Sequence, residues 1–113
     1  MIRIYHHPKC SKSREGLAIL EASGKKFLVV KYIEDPLSTS ALERLIGLLD
    51  IKPIELVRTD ETIWKESYKG KELSDNEIIK ALSIHPRLMQ RPIVVNGKKA
   101  IIGRPPLNIK SIL

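Results

Sequence analysis

Tyr5-His6-His7-Pro8-Lys9-Cys10-Ser11-Lys12-Ser13-Arg14 is the stretch on which the reading of this chain turns, and it holds the only cysteine. Before it, Ile2 and Ile4 alternate with Arg3 and Tyr5, the period of a half-buried strand. After it, Leu17, Ala18, Leu20 and Ala22 form an amphipathic helical pattern. This predicts a helix from about Ser11 to Ser23, stopped by Gly24 as a C-cap. The cysteine therefore stands where a strand passes into a helix N-terminus. Backbone N–H groups are unpaired there and the helix dipole is positive. Such a place binds anions and lowers a thiol pKa, so that thiolate is present near neutral pH. His6, Lys9, Lys12 and Arg14 add cations around the same point. A lone cysteine is commonly a small buried hydrophobe. Pro8, Lys9, Ser11 and Lys12, however, form a polar loop tip that is a poor place to bury a thiol. The residues favour a reactive cysteine that could hold a phosphate-like oxyanion beside its sulfur.

Working outward, Lys25 and Lys26 turn the chain into Phe27-Leu28-Val29-Val30-Lys31-Tyr32, an apolar run of strand length. Its continuity predicts an interior parallel strand buried on both faces. Strand, helix, strand is a βαβ unit, whose crossover is expected to be right-handed. Gly16 weakens the intervening helix by about 1 kcal/mol relative to Ala, which points to close packing or to accident.

Pro36 breaks the chain, and Ser40-Ala41-Leu42-Glu43 has the pattern of a capping box. Leu42, Leu45, Ile46 and Leu49 then recur at helical spacing. A short helix is expected from Pro53 to near Arg58, and another carrying Ile63, Trp64 and Tyr68. Ser74-Asp75-Asn76-Glu77 is a second capping box, opening a helix that stops at His85-Pro86. The middle third thus reads as helices without a strand. The last segment reads as a hairpin, Pro92 to Val95 and Lys98 to Ile102 around Asn96-Gly97, followed by a helix started by Pro105-Pro106. The order predicts an α/β protein: a thioredoxin-like (glutaredoxin-like) mixed sheet, one domain over 1–113 with a helical insertion over about 38–85. Pro92 is the candidate for the cis-proline that such folds set beside their reactive cysteine.

A chain of 113 residues fits one compact domain. No apolar run approaches the ~20 residues needed to cross a bilayer. Met1 to Tyr5 leads straight into structure, so no signal peptide is expected. One cysteine permits no internal disulfide and no cysteine-rich zinc site, and three scattered histidines lack ligand spacing. A reduced, cytoplasmic setting is the expectation. The net charge is +7. Lys and Arg are spread along the chain, and no RNA-binding aromatic signature appears. Nucleic acid is therefore not expected; a generally solvated basic surface is the first reading of the charge, and an anionic small molecule or an acidic partner the next.

The motifs together resemble the glutaredoxin-coupled arsenate reductases over the whole chain. His6, Cys10 and Arg14 match a His-x3-Cys-x3-Arg motif. Arg58, Arg91-Pro92-Ile93-Val94 and Gly103-Arg104-Pro105 match the places of three arginines that surround the oxyanion in that family. The resemblance implies arsenate as substrate and Cys10 as nucleophile. Arg58, Arg91 and Arg104 would bind the oxyanion, and His6 would be a cation or hydrogen-bond donor that lowers the cysteine pKa. It also implies glutathione as reducing cosubstrate, glutaredoxin as partner, and no bound cofactor or metal. Guanidinium forks suit a tetrahedral dianion. His7 stands where the family commonly has Asn and reads as solvated. Two other activities share the fold: a glutathione-dependent thiol reductase, and a redox-regulated transcription factor that binds RNA polymerase. The latter commonly uses Cys-x-x-Cys, and here the second position is Ser13.

Overall fold

A computed structural model describes residues 1–113. The chain forms two compact units, Met1–Glu34 with Arg91–Leu113, and Asp35–Gln90.

The first unit is built on a four-stranded mixed sheet in the order β2-β1-β3-β4. The strands are β1 (Ile2–Tyr5), β2 (Phe27–Val30), β3 (Ile93–Asn96) and β4 (Lys99–Ile102). β1 runs parallel to β2, with Ile4 beside Val29, and antiparallel to β3, with Ile4 beside Val94. This is a thioredoxin-like sheet. The helix α1 (Ser11–Ser23) connects β1 to β2 and ends at Gly24, which adopts φ 73° as a left-handed C-cap. Pro106–Ile112 form a 3-10 helix that contacts both α1 and β4. Ile2, Ile4, Leu20, Val94 and Ile109 make the core. Burying each is worth about 1.5–3 kcal/mol before entropy is counted.

Three expectations about the strands and helix of this unit change. β2 is parallel as expected but lies at the edge of the sheet, and Leu28 and Val29 are exposed. Its apolar run suggested burial because periodicity cannot tell a covered strand from an edge strand guarded by lysines. The buried face of α1 is Ser13, Gly16 and Leu20, while Ala18 and Ala22 face solvent. The hairpin loop is Gly97-Lys98, because Asn96 pairs with Lys99 in the ladder.

The second unit holds α2 (Thr39–Leu49), α3 (Thr62–Ser67), α4 (Asp75–Ile84) and 3-10 segments at Pro53–Leu56 and Pro86–Leu88. α2 is capped by Ser38, whose side chain accepts from Ala41 N–H at 3.1 Å, in place of the expected Ser40. Ser74 and Glu77 form the capping box of α4, with bonds of 3.2 Å in each direction. Leu42, Leu45, Leu56, Ile78, Ile79, Leu82 and Leu88 are buried in this unit. An isolated antiparallel bridge joins Val57 to Met89.

Candidate active site at the strand-to-helix junction

The loop between β1 and α1 is held at both ends. His6 N–H donates to the Val30 carbonyl at 3.0 Å, continuing the β1–β2 pairing by one residue. Cys10 N–H closes a turn onto the His7 carbonyl at 3.0 Å. Cys10 is the N-cap of α1, in extended conformation (φ −95°, ψ 124°), and its carbonyl accepts the Arg14 N–H at 3.0 Å. An N-cap side chain is ordinarily served by the N–H groups two and three residues on. Here those belong to Lys12 and Ser13, and the Cys10 side chain forms no capping hydrogen bond with them, although both N–H groups favour its thiolate.

The Cys10 side chain is partly buried. Burial by itself pushes the thiol pKa up. The Ser13 N–H, the Arg91 guanidinium and the Lys12 N–H together outweigh it, and the thiol lies below its ordinary value. The thiolate is therefore favoured by donors that do not depend on protonation of a neighbour.

His6 is buried, and its Nδ1 lies 2.7 Å from Ser13 Oγ. Burial lowers its pKa, the neighbouring Arg14 and Lys31 charges add to that, and an interaction with the Ser13 backbone opposes it only in part. The ring is thus neutral at neutral pH, and a neutral ring brings no positive charge to the sulfur. His7, read from sequence as solvated, is buried, and its N–H donates to Ser13 Oγ at 2.9 Å. Ser13 is fully buried between these two partners. Arg14 is exposed and donates from Nη1 to the Pro8 carbonyl at 2.9 Å, clamping the loop that precedes the cysteine.

The other side of the site comes from the segment before β3. Arg91 is only 7% exposed and interacts with the Cys10 sulfur through its side chain. Arg104 Nη1 donates to the Arg91 carbonyl at 2.9 Å, and Gly103 N–H to the Pro92 carbonyl at 2.7 Å. The Arg91–Pro92 peptide bond is cis. So is Arg104–Pro105, which nothing in the sequence reading signalled. The Pro92 ring is fully buried. A Cβ at Gly16 would stand 2.8 Å from Pro92 Cγ, one at Gly103 2.9 Å from the same atom, and both 3.0 Å from Ile109 Cδ1. Gly16 is therefore a packing glycine. Its missing side chain lets the proline loop lie against the helix that Cys10 caps.

His6, Cys10, Arg14, Arg91, Pro92 and Arg104 thus belong to the first unit. Arg58 belongs to the second, where its N–H donates to the Leu88 carbonyl at 2.7 Å and its Nε lies 3.6 Å from Glu61 Oε1. In the sequence Ser13 stands out only as the residue in the place of a second cysteine. Its place three residues after a capping position was the signal available for more. No group of three or more His, Cys, Asp or Glu side chains is placed to hold a metal ion.

Comparison with known proteins gives a consistent result. The model of the ArsC family matches residues 5–112. The chain is 41% identical over 112 residues to an arsenate reductase of Haemophilus influenzae, covering 97% of each chain. It is 36% identical over 114 residues to an arsenate reductase of Neisseria meningitidis serogroup A, covering 99% of this chain and 97% of that one. Among solved structures, an arsenate reductase from Vibrio cholerae superposes with a TM-score of 0.95 at 43% identity, covering 99% of this chain and 97% of the other.

Proposed function

The chain belongs to the ArsC family, and from that premise we propose that it is an arsenate reductase whose nucleophile is the Cys10 thiolate. The observation that carries the proposal is the Cys10 site itself. A partly buried thiol with a lowered pKa occupies a helix N-cap, beside the Arg91 guanidinium. The names of the relatives support arsenate as the substrate.

In the proposed reaction the thiolate attacks arsenic(V), an S–As bond forms, and an arsenate oxygen leaves as water after protonation. Glutathione then supplies the second thiol. As the S–As bond breaks, a Cys10–glutathione disulfide forms, and the two sulfur atoms give arsenic two electrons. Arsenite leaves. Glutaredoxin attacks the glutathione sulfur of the mixed disulfide and restores the Cys10 thiolate. Arg91 and Arg104 carry permanent charge and planar donors to the oxyanion, and Arg58 is the third arginine assigned to it. Their field stabilises negative charge that builds on the arsenate oxygens during attack. The lone cysteine supports a resolving thiol from another molecule and work in a reducing compartment, the cytoplasm.

The test is a coupled assay with the purified protein, arsenate, glutathione, glutaredoxin, glutathione reductase and NADPH. Arsenate-dependent NADPH consumption is expected, and Cys10→Ser abolishes it while the circular dichroism spectrum stays unchanged. Turnover by the serine variant would refute the assignment. Activity on glutathione mixed disulfides with no response to arsenate would instead identify a thiol reductase. Silence in both assays with capture of RNA polymerase would identify a regulator.

A further inference from the structure

We propose that Ser13 is a positioning residue for the Cys10 nucleophile: its buried hydroxyl ties the His6 ring and the His7 N–H to the first turn of α1, and this keeps the Ser13 N–H directed toward the sulfur. The inference deepens the arsenate reductase reading, but it concerns the thiolate, which exists whether or not arsenate is the substrate.

Ser13 is the third residue of α1, and an unpaired helical N–H at that position points back at the N-cap side chain. With Cys10 as the N-cap, the Ser13 N–H favours the thiolate, while the Ser13 side chain is bonded to the end of the β1 segment. There the hydroxyl is fully buried, 2.7 Å from His6 Nδ1 and 2.9 Å from the His7 N. A serine early in a helix commonly turns its hydroxyl to its own backbone or to water. This one instead spans from the helix to the end of β1, closing the ring of chain that contains the Cys10 loop. The thiolate is favoured by two N–H groups of the helix, those of Ser13 and Lys12, and by Arg91, which comes from a different segment. Their alignment requires that the first turn of α1 keep its place against β1, and the Ser13 hydroxyl is the bond that fixes it. A buried hydroxyl with two partners is worth more to geometry than a surface cap, because its loss leaves the His7 N–H without an acceptor in a dry site.

This assigns His6 an indirect part. The ring is an anchor for Ser13. The charged groups around the sulfur and the ring are Arg91, Arg14 and Lys31, and none of them contacts Ser13 Oγ in the bonds described above.

The experiment is a titration of the single thiol, followed by thiolate absorbance near ~240 nm or by iodoacetamide alkylation rate against pH, with Cys10→Ser as the blank. Ser13→Ala is expected to raise the thiol midpoint by about one pH unit, which is a tenfold loss of thiolate well below the midpoint. His6→Ala is expected to move it in the same direction. The double variant should move it no further than Ser13→Ala alone, because both act through one bond. A thermal melt accompanies each titration. A Ser13→Ala protein that is folded but titrates as the parent does would overturn the proposal. So would a His6 effect that adds in full to that of Ser13, which would mean that the ring acts on the sulfur by itself. Should Ser13→Ala not fold, the His6→Ala titration decides: an unmoved midpoint refutes the anchor. No arm uses arsenate, so failure here leaves the coupled assay standing, and failure of that assay leaves this result standing.

Discussion

In the proposed reaction Arg91 and Arg104 would act through shape as much as through charge. Lysine keeps the charge but loses the planar, two-pronged donor that fits a tetrahedral oxyanion. Arg91→Lys and Arg104→Lys are each expected to lower kcat/KM for arsenate at least ~10-fold, about 1.4 kcal/mol of transition-state stabilisation. Arg91 also serves the resting thiol, so its variant should shift the alkylation midpoint upward. Arg104 reaches the Arg91 carbonyl, and its variant should not. Steady-state kinetics and thiol titration, run side by side, separate the two. His6 carries a prediction about stability. Its folded pKa is lowered, mainly by burial, so the unfolded chain holds the proton more tightly. Its contribution to folding is present above the unfolded value near ~6.5 and is lost as pH falls through the folded one. Urea unfolding at about pH 7.5 and about pH 5.5 should show a loss on acidification that is smaller in His6→Gln.

At the scale of elements, the packing of α1 against the Pro92 loop is the contact that shapes the site. Gly16→Ala adds helix propensity of about 1 kcal/mol. It also places a Cβ 2.8 Å from Pro92 Cγ and 3.0 Å from Ile109 Cδ1. A fully buried proline ring cannot rotate away, and overpacking of this kind costs about 1–3 kcal/mol. The clash should win, lowering the urea midpoint and arsenate turnover together, since Arg91 is joined to the displaced ring. Gly47 in α2 is the control. A Cβ there meets nothing within 4 Å, so Gly47→Ala should raise stability by about 0.5–1 kcal/mol. The converse pair of outcomes would refute the packing role of Gly16.

At the scale of the whole molecule, charge is unevenly divided. The first unit has twelve Lys and Arg against three Asp and Glu, a net +9, and the second has eight against ten, a net −2. Basic residues are spread along the sequence, as their positions suggested. The acids are not, and they gather in the helical unit. A positive unit around a thiol draws dianions by long-range attraction that salt screens. Raising ionic strength from ~0.01 to ~0.15 M shortens the Debye length from about 30 to about 8 Å, and kcat/KM for arsenate should fall at least about twofold. A flat salt profile would show that the field of the unit does not contribute to capture.

What the sequence determined by itself was local. α1 runs from Ser11 to Ser23 with Gly24 as its cap, and Ser74 opens α4 with its capping box. These follow from turn chemistry and from residues three and four apart, which the chain carries wherever it folds. The motif around Cys10 was legible for the same reason: thiol, loop and helix start are neighbours along the chain. Tertiary structure decided what depends on distant partners. It put β2 at the sheet edge, because strand order is set by pairing across the sheet and an apolar run does not record its neighbours. It made Gly16 a packing position, because only the fold brings Pro92 and Ile109 to it. It set His6, expected as a cation or hydrogen-bond donor toward the sulfur, as a buried ring against Ser13 with a lowered pKa, because protonation answers to burial and surrounding charge, and burial is a property of the folded whole.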